Sequence, residues 1–497
     1  MHSPSTLLIS DASLTLKALE QAINDPNQKV GLSQASLEAI ERCRIFLDQK
    51  MTDESLVIYG INTGFGALRD KQIEPTELEQ LQYNLIRSHA CGAGDLVPRE
   101  IVKLMLLLKA RSLSFGHSGV QVATAQRLLQ FYNEGIYPIV YTQGSLGASG
   151  DLAPLAHLCL PLIGEGEVWY EGKRMSGEEL HELKGWQPIR LRSKEGLALL
   201  NGTQFMLAYG VHLVLRAKQL ADSADRIAAT SLDAFDGRID PFHPKLHAIR
   251  PHSGQIQVAE NIRTHLDGSE IILRKKTDVQ DPYSFRCVPQ VHGASRDVIA
   301  FCEQSILTEV NSTTDNPNIF VDEDLILSGG NFHGQPLEMA LDMLSISMEE
   351  FGSISERRTF QLLAGIRGLP AFLAVNPGVE SGLMITQYTA AAIVSANKQL
   401  CTPAVIDTIP SSNGQEDHVS MGANGAVQAL QVLENVTTVL GIEMIAASQA
   451  LSFRAPLKSS PSLEKHLASF REMVPVLKKD RFMQPDIAAA AKFVQNN

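Results

Sequence analysis

The stretch QFMLAYGVHLVLRAKQLADSADRIAA, residues 204–229, repeats apolar side chains at three- and four-residue spacing and contains no proline. That period matches the 3.6 residues of an α-helical turn, so the spacing predicts one long helix with a continuous buried stripe. The pattern returns at Ser295 to Thr308, Leu337 to Leu363 and Ala426 to Leu451. These segments are rich in Ala, Leu, Met, Gln and Glu, which favour helix, while Pro and Gly are nearly confined to the stretches between them. The expected fold class is therefore mainly α, a large helical bundle. Toward the N-terminus the pattern is more mixed, with a shorter helical period at Ile101 to Leu113 and brief β-like runs at Leu56 to Tyr59 and Glu167 to Tyr170. We expect a smaller mixed head region over residues 1–200 and a long-helix bundle with a C-terminal helical region over 201–497. No low-complexity linker or long charge block separates the two.

A chain of 497 residues, 44% hydrophobic and 20% charged, can bury a large core. Its 43 basic and 55 acidic residues give a net charge of -12 spread along the chain, which argues against nucleic acid or an anionic membrane as partner. A small soluble substrate is the expected ligand. No basic segment followed by an apolar run opens the sequence, and the apolar stretch Leu104 to Leu108 is too short to cross a bilayer, so the expected location is the cytoplasm. The six cysteines, at 43, 91, 159, 287, 302 and 401, form no C-x-x-C pair, which points to reduced and mostly buried thiols. His243, His247 and His252 have proline-broken spacing and no acidic partner, so a structural or surface role is expected and no metal. Arg274-Lys275-Lys276 is expected to be a solvated loop.

Chemistry concentrates in Gly144-Ser145-Leu146-Gly147-Ala148-Ser149-Gly150-Asp151-Leu152-Ala153-Pro154-Leu155, where glycines crowd against a helix start and Asp151 suits an N-cap. A phosphate loop is excluded because no Lys-Ser/Thr pair follows, and a nucleophile elbow because position 151 is Asp rather than Gly. An ordinary tight turn is one reading. Internal cyclisation is the other: the Gly150 nitrogen attacks the Ala148 carbonyl carbon, and Ser149 loses its hydroxyl as water. Gly150 has no Cβ to obstruct the approach, Ser149 carries the β-leaving group, and Ala148 is small. The product would be a methylidene-imidazolone electrophile, favoured by the positive potential of a helix N-terminus.

The run Gly147-Ala148-Ser149-Gly150-Asp151-Leu152-Ala153-Pro154-Leu155-Ala156-His157 resembles the signature of the aromatic amino acid ammonia-lyases, and the resemblance extends over nearly the whole chain. It implies a mainly helical fold and a methylidene-imidazolone (MIO) group made from Ala148, Ser149 and Gly150 with no external cofactor. It also implies a homotetramer whose active sites combine residues from three chains.

Further segments match the family. Val57-Ile58-Tyr59-Gly60-Ile61-Asn62-Thr63-Gly64-Phe65-Gly66 ends in a glycine-rich loop that cannot complete GxGxxG, since position 69 is Arg. The resemblance makes Tyr59 the base that removes a β-proton. It places His89 of Leu85-Ile86-Arg87-Ser88-His89-Ala90-Cys91-Gly92 beside the substrate side chain. Asn201 of Leu199-Leu200-Asn201-Gly202-Thr203-Gln204, which could merely cap a helix, is assigned hydrogen bonds to the prosthetic group or the substrate amine. In Gln280-Asp281-Pro282-Tyr283-Ser284-Phe285-Arg286-Cys287 the guanidinium suits bidentate capture of a carboxylate. The resemblance gives Arg286 that task, Tyr283 a proton-handling role and Gln280 support of the site. Phe332 of Gly329-Gly330-Asn331-Phe332-His333-Gly334 is implied to cover the prosthetic group, and Met384 of Ser381-Gly382-Leu383-Met384 to flank the substrate side chain.

Gln415-Glu416-Asp417-His418-Val419-Ser420-Met421 resembles the histidine branch of the family, which sets Gln415 and Glu416 in the site. A carboxylate can accept an imidazole N–H but would be poorly satisfied against a phenyl ring. The expected reaction is loss of ammonia from L-histidine to give trans-urocanate; phenylalanine or tyrosine lyase, or aminomutase, is the alternative, and a catalytically silent scaffold a remote one. Ser412-Asn413-Gly414, Phe285 and Ile61 depart from the commoner family residues and bear on pocket shape.

Overall fold

The four long apolar periods become the helices Gln204–Ala234, Val288–Val310, Gln335–Leu363 and Gly422–Ser452. Each reaches past its apolar period at one end or both, as at residues 230–234 after the first and 288–294 before the second. The computed structural model describes residues 6–25, 27–53 and 55–496. Residues 1–5 and 497, at the outer ends of the two regions expected from the sequence, lie outside the described residues, as do Pro26 and Glu54.

The chain forms two compact units, each drawn from separated segments. One takes in residues up to His212 together with Glu303–Asp342 and Pro403–Val427; the other takes in Leu213–Cys302, Met343–Thr402 and the chain from Gln428 on. Every strand among the described residues falls in the first unit. Glu167–Tyr170 pairs antiparallel with Lys173–Ser176 through Glu171 and Gly172, whose φ values of 48° and 77° are those of a two-residue hairpin turn. Thr6–Ile9 pairs in parallel with Lys29–Leu32, and Ala93–Leu96 pairs antiparallel with Tyr141–Gln143. The helix Arg99–Leu113 is buried on nearly every side, Lys109 and Arg111 included. Each Leu, Ile or Val so buried stabilises the fold by roughly 1.5–3 kcal/mol.

Leu56 to Tyr59 is not a strand. The Asn62 side chain accepts the Ile58 N–H at 2.8 Å and donates to Leu56 O at 2.6 Å, so groups that would pair with a neighbouring strand are satisfied locally. Lys276 also departs from expectation. Its side chain is only 6% exposed, because it pairs with Asp236 at 2.5 Å and donates to Ile271 O at 2.8 Å.

Among the described residues of the second unit the helices are joined by turns and loops, with no strand. Its interior holds a bidentate pair between Arg358 and Glu443, at 2.6 and 2.8 Å, with Ser231 Oγ donating to the same carboxylate at 2.6 Å. Breaking such a pair by removing one partner strands a buried charge. Glu443 belongs to Gly422–Ser452, which by length and a mean hydropathy of 1.3 is apolar enough to cross a membrane; 72% of that window is buried within the structure.

Candidate active site

The loop Ala148–Gly150 lies between the strand Tyr141–Gln143 and the helix Leu152–Cys159. Gly150 adopts φ +71°, and a Cβ there would stand 2.1 Å from Gly202 O, so only glycine fits. The Asp151 N–H donates to the same carbonyl at 2.8 Å.

Asp151 occupies the cap position of Leu152–Cys159 but makes no side-chain bond to that helix. Its buried carboxyl instead accepts the N–H groups of Phe205 and Met206, at 3.1 and 3.0 Å, in the first turn of Gln204–Ala234. Burial, only partly offset by these donors, pushes its pKa up to about 7. On the other flank, Gly147 O accepts Ser420 Oγ at 3.0 Å and the Gly334 N–H at 3.2 Å. These residues lead into Gly422–Ser452 and Gln335–Leu363. The triad is thus bracketed by the starts of three long helices, whose N-terminal ends carry partial positive charge.

Ser149 has two partners. Its hydroxyl donates to Glu416 Oε1 at 2.6 Å, and its carbonyl accepts Asn201 Nδ2 at 2.7 Å. Ser411 Oγ holds the other oxygen of Glu416 at 2.5 Å. Asn201 ends the short helix Glu195–Leu200, bonding back to Leu197 O, rather than capping the long helix that follows. Its Oδ1 is buried without a hydrogen-bond partner. Beneath it, Lys109 Nζ donates to the Asn201 carbonyl at 2.7 Å, and burial pushes this lysine down to about 8.

These groups open onto a cavity of about 920 Å³ within the first unit, whose wall includes Tyr59, His89, Ser149, Asn201, Phe332, Gln415 and Glu416. His89 closes the helix Leu78–His89, and its Nδ1 lies 2.8 Å from Leu85 O. That bond places the proton on Nδ1 and leaves Nε2 an acceptor; burial lowers the pKa, favouring the neutral ring. The Tyr59 hydroxyl accepts the Gly66 N–H at 3.4 Å, and Gln415 Oε1 accepts Arg69 Nη1 at 2.6 Å. Position 150 without a side chain, a small buried residue at 148, a β-hydroxyl lining the cavity and an orphaned Asn201 oxygen meet the demands of a ring closed from residues 148–150.

Residues 14–472 match the aromatic amino acid lyase family. The chain belongs to it. It is 46% identical over 492 residues to a histidine ammonia-lyase of Caldanaerobacter subterraneus subsp. tengcongensis, spanning 99% of this chain and 96% of that relative. It is similar to the crystal structure of histidine ammonia-lyase from Trypanosoma cruzi, with a TM-score of 0.92 and 39% identity over 99% of this chain and 94% of that one. A tyrosine aminomutase from Streptomyces globisporus gives a TM-score of 0.94 at 34% identity, covering 99% and 97%. Fold alone does not separate these chemistries.

Four residues expected in the site of this aromatic amino acid lyase belong to the second unit and are absent from the cavity wall. Gln280 is exposed and Tyr283 is 71% exposed. The Arg286 guanidinium lies 4.5 Å from the Tyr283 ring centroid, with its Nε buried and unpartnered. Met384 opens the helix Met384–Leu400. Two of the family departures are core residues. Ile61 packs with Cys43, Leu47 and Ile319, and Phe285 stacks on Phe235 at 4.3 Å. Ser412 does reach the wall, in a turn where Ser412, Asn413 and Gly414 all have positive φ.

Sequence reasoning passed over Lys109, Arg69 and Ser411. A lysine directly after the apolar run Leu104 to Leu108 was a readable signal for the first; the others act through partners hundreds of residues away or carry no motif. His247 bonds Pro241 O and Gln255, and His243 accepts the Lys245 N–H, which are structural roles. Among the described residues no group of three His, Cys, Asp or Glu could hold a metal.

Proposed function

We propose that this chain removes ammonia from L-histidine without oxidation, giving trans-urocanate, and that it does so with a methylidene-imidazolone formed from Ala148, Ser149 and Gly150. The observation that carries this reading is Glu416 in the cavity wall, its carboxylate at Ser149 and fixed by Ser411. An imidazole N–H satisfies Oε1 of that carboxylate once the Ser149 hydroxyl has left, whereas a phenyl ring would bury Oε1 without a partner. His89, neutral with a free Nε2, offers a second acceptor in the same wall. The prosthetic group supplies an electrophile that draws electron density from the substrate. Tyr59 takes the β-proton, and Asn201 Oδ1, otherwise unpartnered, accepts from the substrate ammonium. Phe332 excludes water from one side of the cavity.

The reading extends to a homotetramer with shared sites. Gln280, Tyr283 and Arg286 lie outside this cavity wall, and Arg286 has an unpaired Nε; supplied by a neighbouring copy, they bind the substrate carboxylate and handle its protons. Exposed Met343, Ile346, Phe360, Ile385 and Tyr388 in the second unit supply apolar surface for such contacts. We place the enzyme in the cytoplasm, in keeping with a small soluble substrate and a net charge of -12.

Incubation with L-histidine, L-phenylalanine and L-tyrosine, followed by ultraviolet absorbance, tests the assignment. Urocanate from histidine alone is the expected outcome. Cinnamate or coumarate would shift the substrate to an aryl amino acid, and a β-amino acid product would identify an aminomutase.

A further inference from the structure

A β-elimination of water needs two handles on the serine that loses it. The proton on Cα must be made acidic, which a donor on the adjacent carbonyl achieves, and the hydroxyl must be helped to leave. Ser149 has both: Asn201 Nδ2 donates to its carbonyl at 2.7 Å, and Glu416 Oε1 receives its hydroxyl at 2.6 Å. Lys109 adds positive charge behind Asn201 through its 2.7 Å bond to the Asn201 carbonyl. Glu416 is braced for the task by Ser411 Oγ on its second oxygen, and by a backbone bridge in which the Ser411 N–H donates to Glu416 O at 3.0 Å.

We propose that Glu416 catalyses the dehydration that completes the electrophile, in addition to recognising the substrate. The inference rests on the reading that residues 148–150 close into a ring. Once Gly150 N has joined the Ala148 carbonyl carbon and the first water has left, the electron pair of the Ser149 Cα–H bond forms the Cα=Cβ bond as Cβ–Oγ breaks. The Glu416 carboxylate takes the Cα proton and returns it to the departing hydroxide, so a second water leaves and the carboxylate is regenerated. No oxidant or reductant takes part. Loss of the hydroxyl also frees Glu416 Oε1, whose described hydrogen bond is to that group, to receive the substrate imidazole.

Intact mass spectrometry of the purified full-length chain tests this apart from turnover. The wild type is expected two waters below its sequence mass. Glu416→Gln is expected one water below, ring closed and hydroxyl retained, with the second loss roughly 100-fold slower on incubation. Glu416→Asp, which keeps a carboxylate, should recover part of that second loss, and it carries the test if the Gln variant fails to fold by circular dichroism. A Gln variant that loses both waters as fast as the wild type would overturn the role of Glu416 and leave the proposed function standing. A Gln variant that loses none would place Glu416 before ring closure and overturn the step assigned here. A wild type that keeps its full sequence mass would overturn the proposed function and this inference together.

Discussion

Asn201 donates to the Ser149 carbonyl through its amide nitrogen while its own side-chain oxygen is buried without a partner, and an amide held this way has one face committed and one in waiting. Removing such a donor from a site where negative charge develops on a carbonyl costs about 100- to 1000-fold in turnover. Asn201→Ala should lose that much in kcat on L-histidine while remaining folded, as checked by steady-state kinetics beside circular dichroism; an unchanged kcat would take Asn201 out of the chemistry. At this scale the sequence was informative where a residue type is scarce in its setting and silent where the partner is remote. Tyr59, His89, Asn201 and Glu416 stood in recognisable motifs, and all four line one cavity. Asp151 stood in a motif too, yet its neighbours suggested a cap for its own helix; its carboxylate turns to Phe205 and Met206, more than fifty residues on, which no local pattern announces.

Helices were legible from their period alone, because a stripe of Ala and Leu at 3.6-residue spacing has few other ways to be buried. The run Leu56 to Tyr59 was not, because a single side chain, Asn62, supplies the bonds a neighbouring strand would have offered. How helix ends meet was equally hidden. Glu338, in the first turn of Gln335–Leu363, is fully buried against Gly422 and Gly425, the opening turn of Gly422–Ser452, and neither of its carboxyl oxygens has a hydrogen-bond partner. A Cβ at Gly425 would fall 2.3 Å from one of them, so glycine there makes room for the acid. Burial, and to a lesser degree the nearby charge of Asp342, push the Glu338 pKa up to about 9. An unfolded glutamate titrates near 4.5, so between that value and about 9 the folded state binds more protons than the unfolded one, and stability falls as pH rises through this window. Glu338→Gln removes the slope. Its thermal midpoint relative to the wild type should therefore climb by several degrees from about pH 5 to about pH 9, and parallel curves in scanning fluorimetry would refute the assignment.

At the scale of the whole molecule, the sequence led to the family and its mainly helical fold, while the division of the chain into interleaved units depends on contacts between distant segments. The proposed sharing of sites between copies belongs here, and it has a test that needs no structure. On the proposed function, Ser149→Ala would lack the electrophile and Arg286→Ala the carboxylate anchor, so each should be nearly inactive alone. If Ser149 and Arg286 of one site come from different copies, co-expressed mixed tetramers should regain activity, with about a quarter of the sites intact under random assembly. Activity no greater than that of the two variants measured separately would confine each site to one chain. The bracketing of residues 148–150 by three helix starts carries one more consequence. Positions 147, 205, 334 and 420 are far apart in the chain and meet only after folding. On the proposed function, Ala148-Ser149-Gly150 stays an inert tripeptide until they do, so the reactive group would be withheld from a chain that never folds. Such a protein would arm itself only once it is built, and a nascent copy would offer the cell's nucleophiles nothing to attack.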